Sequence, residues 1–168
     1  IAQELDDHTV EGHTLIKLGG LFADLGDYPH AKHYYEQALA IFKTLGSPKT
    51  KNTAVRDIEA GLGDVHLRQN QLPDALAILE RVGDSFGLGR YYLHVGDYEK
   101  ARYAFTTLLK FTEERHNAFA FPFWYIGLGL AHEGLKDYVQ AKAYYQKAVD
   151  LIERQREGLN EGERRYFF

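Results

Sequence analysis

The sequence predicts an all-α fold, a solenoid of tandem helix-turn-helix units. Three observations predict it: residue columns that recur four times, apolar positions at helical spacing, and turn residues at regular places between the resulting helices. The columns are anchored on Gly19, Gly63, Gly89 and Gly129, preceded by Leu18, Leu62, Leu88 and Leu128. Nine residues after each glycine stand Tyr28, Leu72, Tyr98 and Tyr138, and twelve after stand Ala31, Ala75, Ala101 and Ala141. Sixteen after come Tyr35, Leu79, Phe105 and Tyr145, and nineteen after Ala38, Val82, Leu108 and Ala148. Repetition at a few tens of residues is the mark of stacked units that each bury a face against the next.

Taken in order, residues 1–11 read as the tail helix of a preceding repeat, with Ile1 aligning forty residues before Ile41. Repeat 1 covers 12–55. Its Leu18, Phe22 and Leu25 recur at helical spacing up to the break "GDY", and Ala31, Tyr34, Tyr35, Ala38, Leu39 and Phe42 form a second amphipathic stripe. The following "KTLGSPKTKNTAV" lengthens either the helices or the connection. Repeat 2 covers 56–82 and has a short second helix, from about Pro73 to Val82. Repeat 3 covers 83–117, repeat 4 covers 118–158, and 159–168 form a C-terminal stub. Gly26 and Gly96 suit the left-handed end of a helix, and Asp27, Asp97 and Asp137 suit the start of the next. Pro29 and Pro73 open second helices, where a missing N–H costs little. The absence of methionine and the apolar ending "YFF" suggest a piece of a longer protein, whose exposed ends would favour self-association.

"Gly-Leu-Gly" occurs at 61–63, 87–89 and 127–129. A phosphate-binding glycine motif follows a strand within a βαβ unit, and no segment here alternates as a strand does. The glycines fall on the packing column of a helix, so close helix approach explains them.

Composition narrows function. The 168 residues are 45% hydrophobic and 26% charged, with net charge −4 and pI near 6.1. A mildly acidic chain is not expected to bind nucleic acid, which needs a basic stripe. There is no cysteine, which removes thiolate metal sites, disulfides and thiol catalysis. The longest apolar run, residues 119–131, is broken by Pro122 and two glycines and is too short to span a bilayer. The eight histidines include His30 and His33 on one helix face and His116 in a connecting loop, without HExxH. Solvent-facing positions on a polar face account for those three, so no metal is expected. His66 and His132 occupy a packing column and need hydrogen-bond partners. Ser47 and Ser85 lack a GxSxG context. Arg154, Arg156, Arg164 and Arg165 alternate with Glu153, Glu157, Glu161 and Glu163, as on a solvated helix face. No catalytic residue, cofactor or metal site is assigned, and the chain reads as a non-enzyme.

The columns resemble the tetratricopeptide repeat family, whose unit of about 34 residues carries Leu-Gly, an aromatic, a small residue, an aromatic and a final alanine. The strongest match is "LIKLGGLFADLGDYPHAKHYYEQALAIF", residues 15–42. Glycine spacings of 44, 26 and 40 depart from a uniform unit, and Glu59 and Ser85 stand where an aromatic is usual. Units near 40 residues resemble a longer subclass found in bacterial signalling and regulatory proteins and polarity adaptors. "AVDLIERQREGLNEGERRYFF" resembles the closing helices of arrays that precede a caspase-like CHAT peptidase domain. The resemblance implies a right-handed superhelix and a cytoplasmic scaffold that binds a protein, peptide or helix in its concave groove. The alternative is a regulatory or sensor arm of a larger bacterial signalling protein, one that could take a small effector.

In this family the first helix of each unit lines the groove. The corresponding positions here are His13, Ile16, Lys17, Gly20 and Asp24, then Asp57, Ala60, Asp64, Leu67 and Arg68. They continue with Phe86, Arg90, Leu93 and His94, then Phe123, Ile126, Leu130 and Glu133. The resemblance implies apolar anchors at Phe86, Phe123 and Ile126, with Arg68 and Arg90 setting orientation. The carboxylate clamp of some relatives needs Lys and Asn where Ile16 and Gly20 stand, which argues against a chaperone C-terminus as ligand.

Overall fold

A computed structural model describes residues 2–44, 48–114 and 122–166. Among them are eight α-helices and no strand: α1 (Ala2–Asp24), α2 (Tyr28–Thr44), α3 (Pro48–Arg68), α4 (Leu72–Val82), α5 (Ser85–His94), α6 (Tyr98–Glu114), α7 (Pro122–Gly134) and α8 (Tyr138–Tyr166). They make four consecutive pairs and form two compact units, Ile1–Gly87 and Leu88–Phe168, with the boundary inside α5.

Each first helix closes with the same turn. After α1 the amide of Asp27 donates to Phe22 O at 2.9 Å and that of Gly26 to Ala23 O at 3.1 Å. This doubled bond satisfies carbonyls that a helix end leaves open, and it requires one left-handed residue. Gly26 (φ +79°) and Gly96 (φ +77°) supply it for α1 and α5, as the sequence predicts. At α3 and α7 the residue is Asn70 (φ +58°) and Lys136 (φ +62°), which nothing in the repeat columns marks. Asp27, Asp97 and Asp137 then accept the amides of His30, Lys100 and Gln140 at 3.3, 3.2 and 3.2 Å, capping α2, α6 and α8.

The glycine pairs explain the core. A Cβ on the column glycine would lie 2.7 Å from Tyr35 at Gly19, 2.9 Å from Leu79 at Gly63, 2.7 Å from Phe105 at Gly89 and 2.4 Å from Tyr145 at Gly129. In every pair, then, it faces the residue sixteen places later. The other glycine of each Gly-Leu-Gly faces the same column of the pair before: Gly61 meets Tyr35, Gly87 meets Leu79 and Gly127 meets Phe105, each at 2.5 Å. One bulky side chain is thus held between two helices that both lack a Cβ there. Glycine inside a helix costs about 0.5–1 kcal/mol relative to alanine, and the space it opens for a buried ring offsets that cost. The alanines twelve after the glycine are all buried, at 0% for Ala31, Ala75 and Ala101 and 3% for Ala141.

Helix boundaries depart from the repeat boundaries read in the sequence. α1 runs from Ala2 to Asp24 without interruption, so residues 2–11 continue into the first helix of repeat 1. Gly12 does not break it, because the ring of Phe42 fills the place of its side chain at 2.6 Å. Pro48 begins α3, so residues 48–55 belong to the helix of the next pair, where Ala54 and Ile58 are buried one turn apart. α4 is short, as expected, at 11 residues. α8 continues to Tyr166, through the segment expected as a separate stub. Residue 1, residues 45–47, His116 and the final 167–168 lie outside the described residues.

Candidate partner-binding face

In the unit Ile1–Gly87 the first helices α1 and α3 build an ionic cluster. Arg68 Nε donates to Asp64 Oδ2 at 2.7 Å, and its Nη2 donates to Asp24 Oδ1 at 2.8 Å. One guanidinium therefore ties the two helices together. Burial works against the Arg68 charge, but the Asp64 hydrogen bond and the Asp64 and Asp24 charges outweigh it and hold its pKa above the ordinary value. The same carboxylates bear on Tyr35 beneath. Burial first, then the charges of Asp64 and Asp24, push its phenol up to about 12.

The other predicted positions in this unit divide. Lys17 is exposed, while Ile16 is half-buried and packs against the core of α1 to α3. Leu67, expected on the open face, is buried at 5%: it lies one turn beyond Gly63, on the side packed inward. His13 turns toward α2, with its ring edge-on to Phe42 at 5.1 Å and its Nδ1 2.8 Å from Thr9 O. Phe86 is half-buried at the start of α5, where its amide donates to Asp84 Oδ1 at 3.1 Å.

The unit Leu88–Phe168 presents a different surface. Phe123 and Leu130 are 62% and 43% exposed, and with half-buried Ile126 they stand at i, i+3 and i+7 on one side of α7. Leu130 and Leu93 open into a recess of about 480 Å³ between α5 and α7, with Tyr98, Glu133, Gly134 and Tyr138 around it. Glu133 accepts the Tyr145 hydroxyl at 2.7 Å. His94 is exposed and Arg90 half-buried on α5. The structure thus brings Asp64 with Arg68, and groups Phe123, Ile126 and Leu130.

A second recess in this unit, about 440 Å³, is lined by Glu99, Arg102, Tyr103 and Thr106 of α6 with His132 and Tyr144. Sequence reading missed it because, apart from His132 of α7, these residues sit on second helices at positions outside the columns. The two histidines of the packing column are paired: His66 Nδ1 donates to Gln71 Oε1 at 2.6 Å and His132 Nδ1 to Asp137 Oδ2 at 3.2 Å, as their packing columns require. His30 pairs with Asp27 at 2.7 Å, and Gln37 donates to His33 at 3.1 Å. Among the described residues no three His, Asp or Glu side chains converge to hold a metal ion, and no helix is long and apolar enough to cross a membrane.

Comparison with known families gives two matches. One family model of the tetratricopeptide repeat covers residues 16–84 and another covers 125–155. The intervening residues include α5 and α6, the pair whose first helix carries Ser85 at the column's usual aromatic. No curated protein sequence matches the chain.

Proposed function

Because the chain belongs to the tetratricopeptide repeat family, whose repeats mediate protein–protein interaction, we propose that it is a non-catalytic scaffold. In this reading it binds a peptide or helix of a partner protein along its first helices. The four-repeat division of the chain, a signalling role and a cytoplasmic location are part of the reading. One observation carries it. Phe123 and Leu130 remain 62% and 43% exposed beside a recess of about 480 Å³ that Leu93 also lines. Apolar side chains held open next to a cavity are the kind of anchor site that supplies most of the energy in peptide recognition. His66 and His132 serve structure, being bonded to Gln71 and Asp137, which supports the non-catalytic reading.

Affinity capture by wild type and by a Phe123→Ala, Leu130→Ala double variant tests this. Circular dichroism should be unchanged, since both side chains are exposed. A protein retained by wild type and lost by the variant is the expected result. Equal retention by both, or by neither, overturns the reading.

A further inference from the structure

His132 is only 8% exposed, yet it lines the recess of about 440 Å³ that α6 borders on one side and Tyr144 of α8 on the other. Its Nδ1 lies 3.2 Å from Asp137 Oδ2. A carboxylate only accepts, so Nδ1 carries the proton and the neutral ring keeps Nε2 as an acceptor. Among the described residues nothing bonds that Nε2. The ring is held in place by Tyr144, with centroids 5.2 Å apart and planes 29° from parallel. This arrangement is particular to the last pair and is not a furrow common to the repeats. The other pair with a histidine three after its glycine, His66, has Ile78 where Tyr144 stands. Likewise α2 has Lys32 and His33 where α6 has Arg102 and Tyr103.

The charges around the recess balance. Glu99 accepts from Arg102 Nη2, and Asp137 accepts from His132 and from the Gln140 amide. Lys147 Nζ stands 5.1 Å from the centroid of the Tyr144 ring. Lys100, next to Glu99 on α6, is held by Asp97 at 2.9 Å. Two carboxylates, Glu99 and Asp137, thus offset two cations, Arg102 and Lys147, which favours a neutral ligand over an ion of either sign. Arg102 spends Nη2 on Glu99 and keeps further N–H donors and a planar face against which a ring can stack. Thr106 Oγ1 donates to Arg102 O at 2.8 Å, so its proton is turned inward and only its lone pairs remain on offer. Tyr103, 75% exposed, adds an aromatic rim.

We propose that this recess binds a neutral small molecule of the phenol class. Its hydroxyl donates to His132 Nε2 and accepts from the Arg102 guanidinium, while its ring packs beside Tyr103 and Tyr144. The size agrees, since clefts of about 300–1,000 Å³ hold small ligands around a few placed polar groups. His132 stands two residues from Leu130, about 200° around α7. The recess is therefore apart from the surface of Phe123 and Leu130, and the inference stands or falls separately from the reading above.

The probe is para-cresol, titrated into the full chain and followed by NMR. Saturable shifts should centre on Thr106, His132 and Tyr144. The methyl ether of para-cresol has the same ring without the O–H donor and should bind at least about tenfold more weakly, because it leaves Nε2 unpaired. The anion para-toluate should also bind more weakly than the phenol. Tyr103→Ala changes an exposed position, so the chain stays folded, and should weaken the phenol at least about threefold. His132→Phe keeps a ring beside Tyr144, removes the acceptor and should make the phenol and its ether bind alike. If circular dichroism shows that variant unfolded, Tyr103→Ala and the ether comparison decide. The Phe123→Ala, Leu130→Ala chain should bind the phenol as wild type does. The proposal is overturned by no saturable shift, by shifts centred on Leu93 and Leu130, or by equal binding of the ether. Tighter binding of para-toluate, or an unchanged affinity in Tyr103→Ala, would overturn it as well.

Discussion

In the unit Ile1–Gly87, one residue beyond the repeat glycine Gly63, stands Asp64, bound to Arg68 at 2.7 Å with Asp24 on the same guanidinium at 2.8 Å. In the unit Leu88–Phe168 the same place after Gly129 holds Leu130, 43% exposed beside exposed Phe123. The helices beneath are built alike, with a ring or leucine held against glycine in each. The first-helix surfaces are not alike. One satisfies its charges internally, and partly exposed ion pairs of that kind contribute about 0–1 kcal/mol each. The other leaves apolar area uncovered, which a partner can bury at about 25 cal/mol per Å². A shared packing scheme therefore leaves the outward positions independent of the fold. We expect the second unit to supply affinity and the first to supply orientation and salt dependence.

The shared scheme gives the largest expected effects. Gly61→Leu in the first unit and Gly127→Leu in the second each drive a side chain into a ring 2.5 Å from the Cβ position. Each should cost about 3 kcal/mol, read as a lower urea midpoint by circular dichroism. Similar losses in both units would sharpen the comparison, and a loss in one alone would break it. Alkaline unfolding comes next. Tyr35 has its pKa pushed up to about 12 by burial, then by Asp64 and Asp24, against an unfolded value near 10. The unfolded state releases its proton first, so this stabilisation is complete below pH 10 and is lost as pH rises from 10 to 12. The loss should be on the order of 2 kcal/mol, and Tyr35→Phe should remove it from a denaturation series across that range. Tyr145 also lies at about 12, through burial and then the Glu133 hydrogen bond, but it is half-buried and solvent screening shrinks its share.

Smaller effects probe surfaces and turns. Arg68→Ala leaves Asp24 and Asp64 facing each other without a cation and should cost about 1 kcal/mol, less at high salt. Lys136→Gly should stabilise by about 0.5–1 kcal/mol, because a lysine held at φ +62° is strained where glycine is not. Asn70 tolerates the same geometry better, so Asn70→Gly should change stability by less.

The columns made the helix pairs legible, since burial at a fixed offset from a glycine is a one-dimensional pattern. The turns at Gly26 and Gly96 were readable for the same reason, and those at Asn70 and Lys136 were not, because there a hydrogen-bonded turn overrides residue preference. Sequence showed the doubled glycines without showing that each pair serves two rings, which takes the neighbouring helix to see. Helices α1, α3 and α8 run past the repeat boundaries read in the sequence, because continuity is decided by packing, as at Gly12 against Phe42. On the candidate face, Leu67 is buried and Ile16 is half-buried against the core. The periodicity of one helix does not reveal which flank its neighbour covers.

The division of labour between the two units is tested most directly by calorimetric titration of the captured partner's binding segment. Wild type, the Phe123→Ala, Leu130→Ala variant and Arg68→Gln would be compared at two salt concentrations. The apolar double variant should weaken binding by at least about tenfold, since truncating an anchor costs more than about 1 kcal/mol. Arg68→Gln should weaken it by less than about threefold and flatten the salt dependence. Unchanged affinity in the double variant, together with a large loss in Arg68→Gln, would contradict the account.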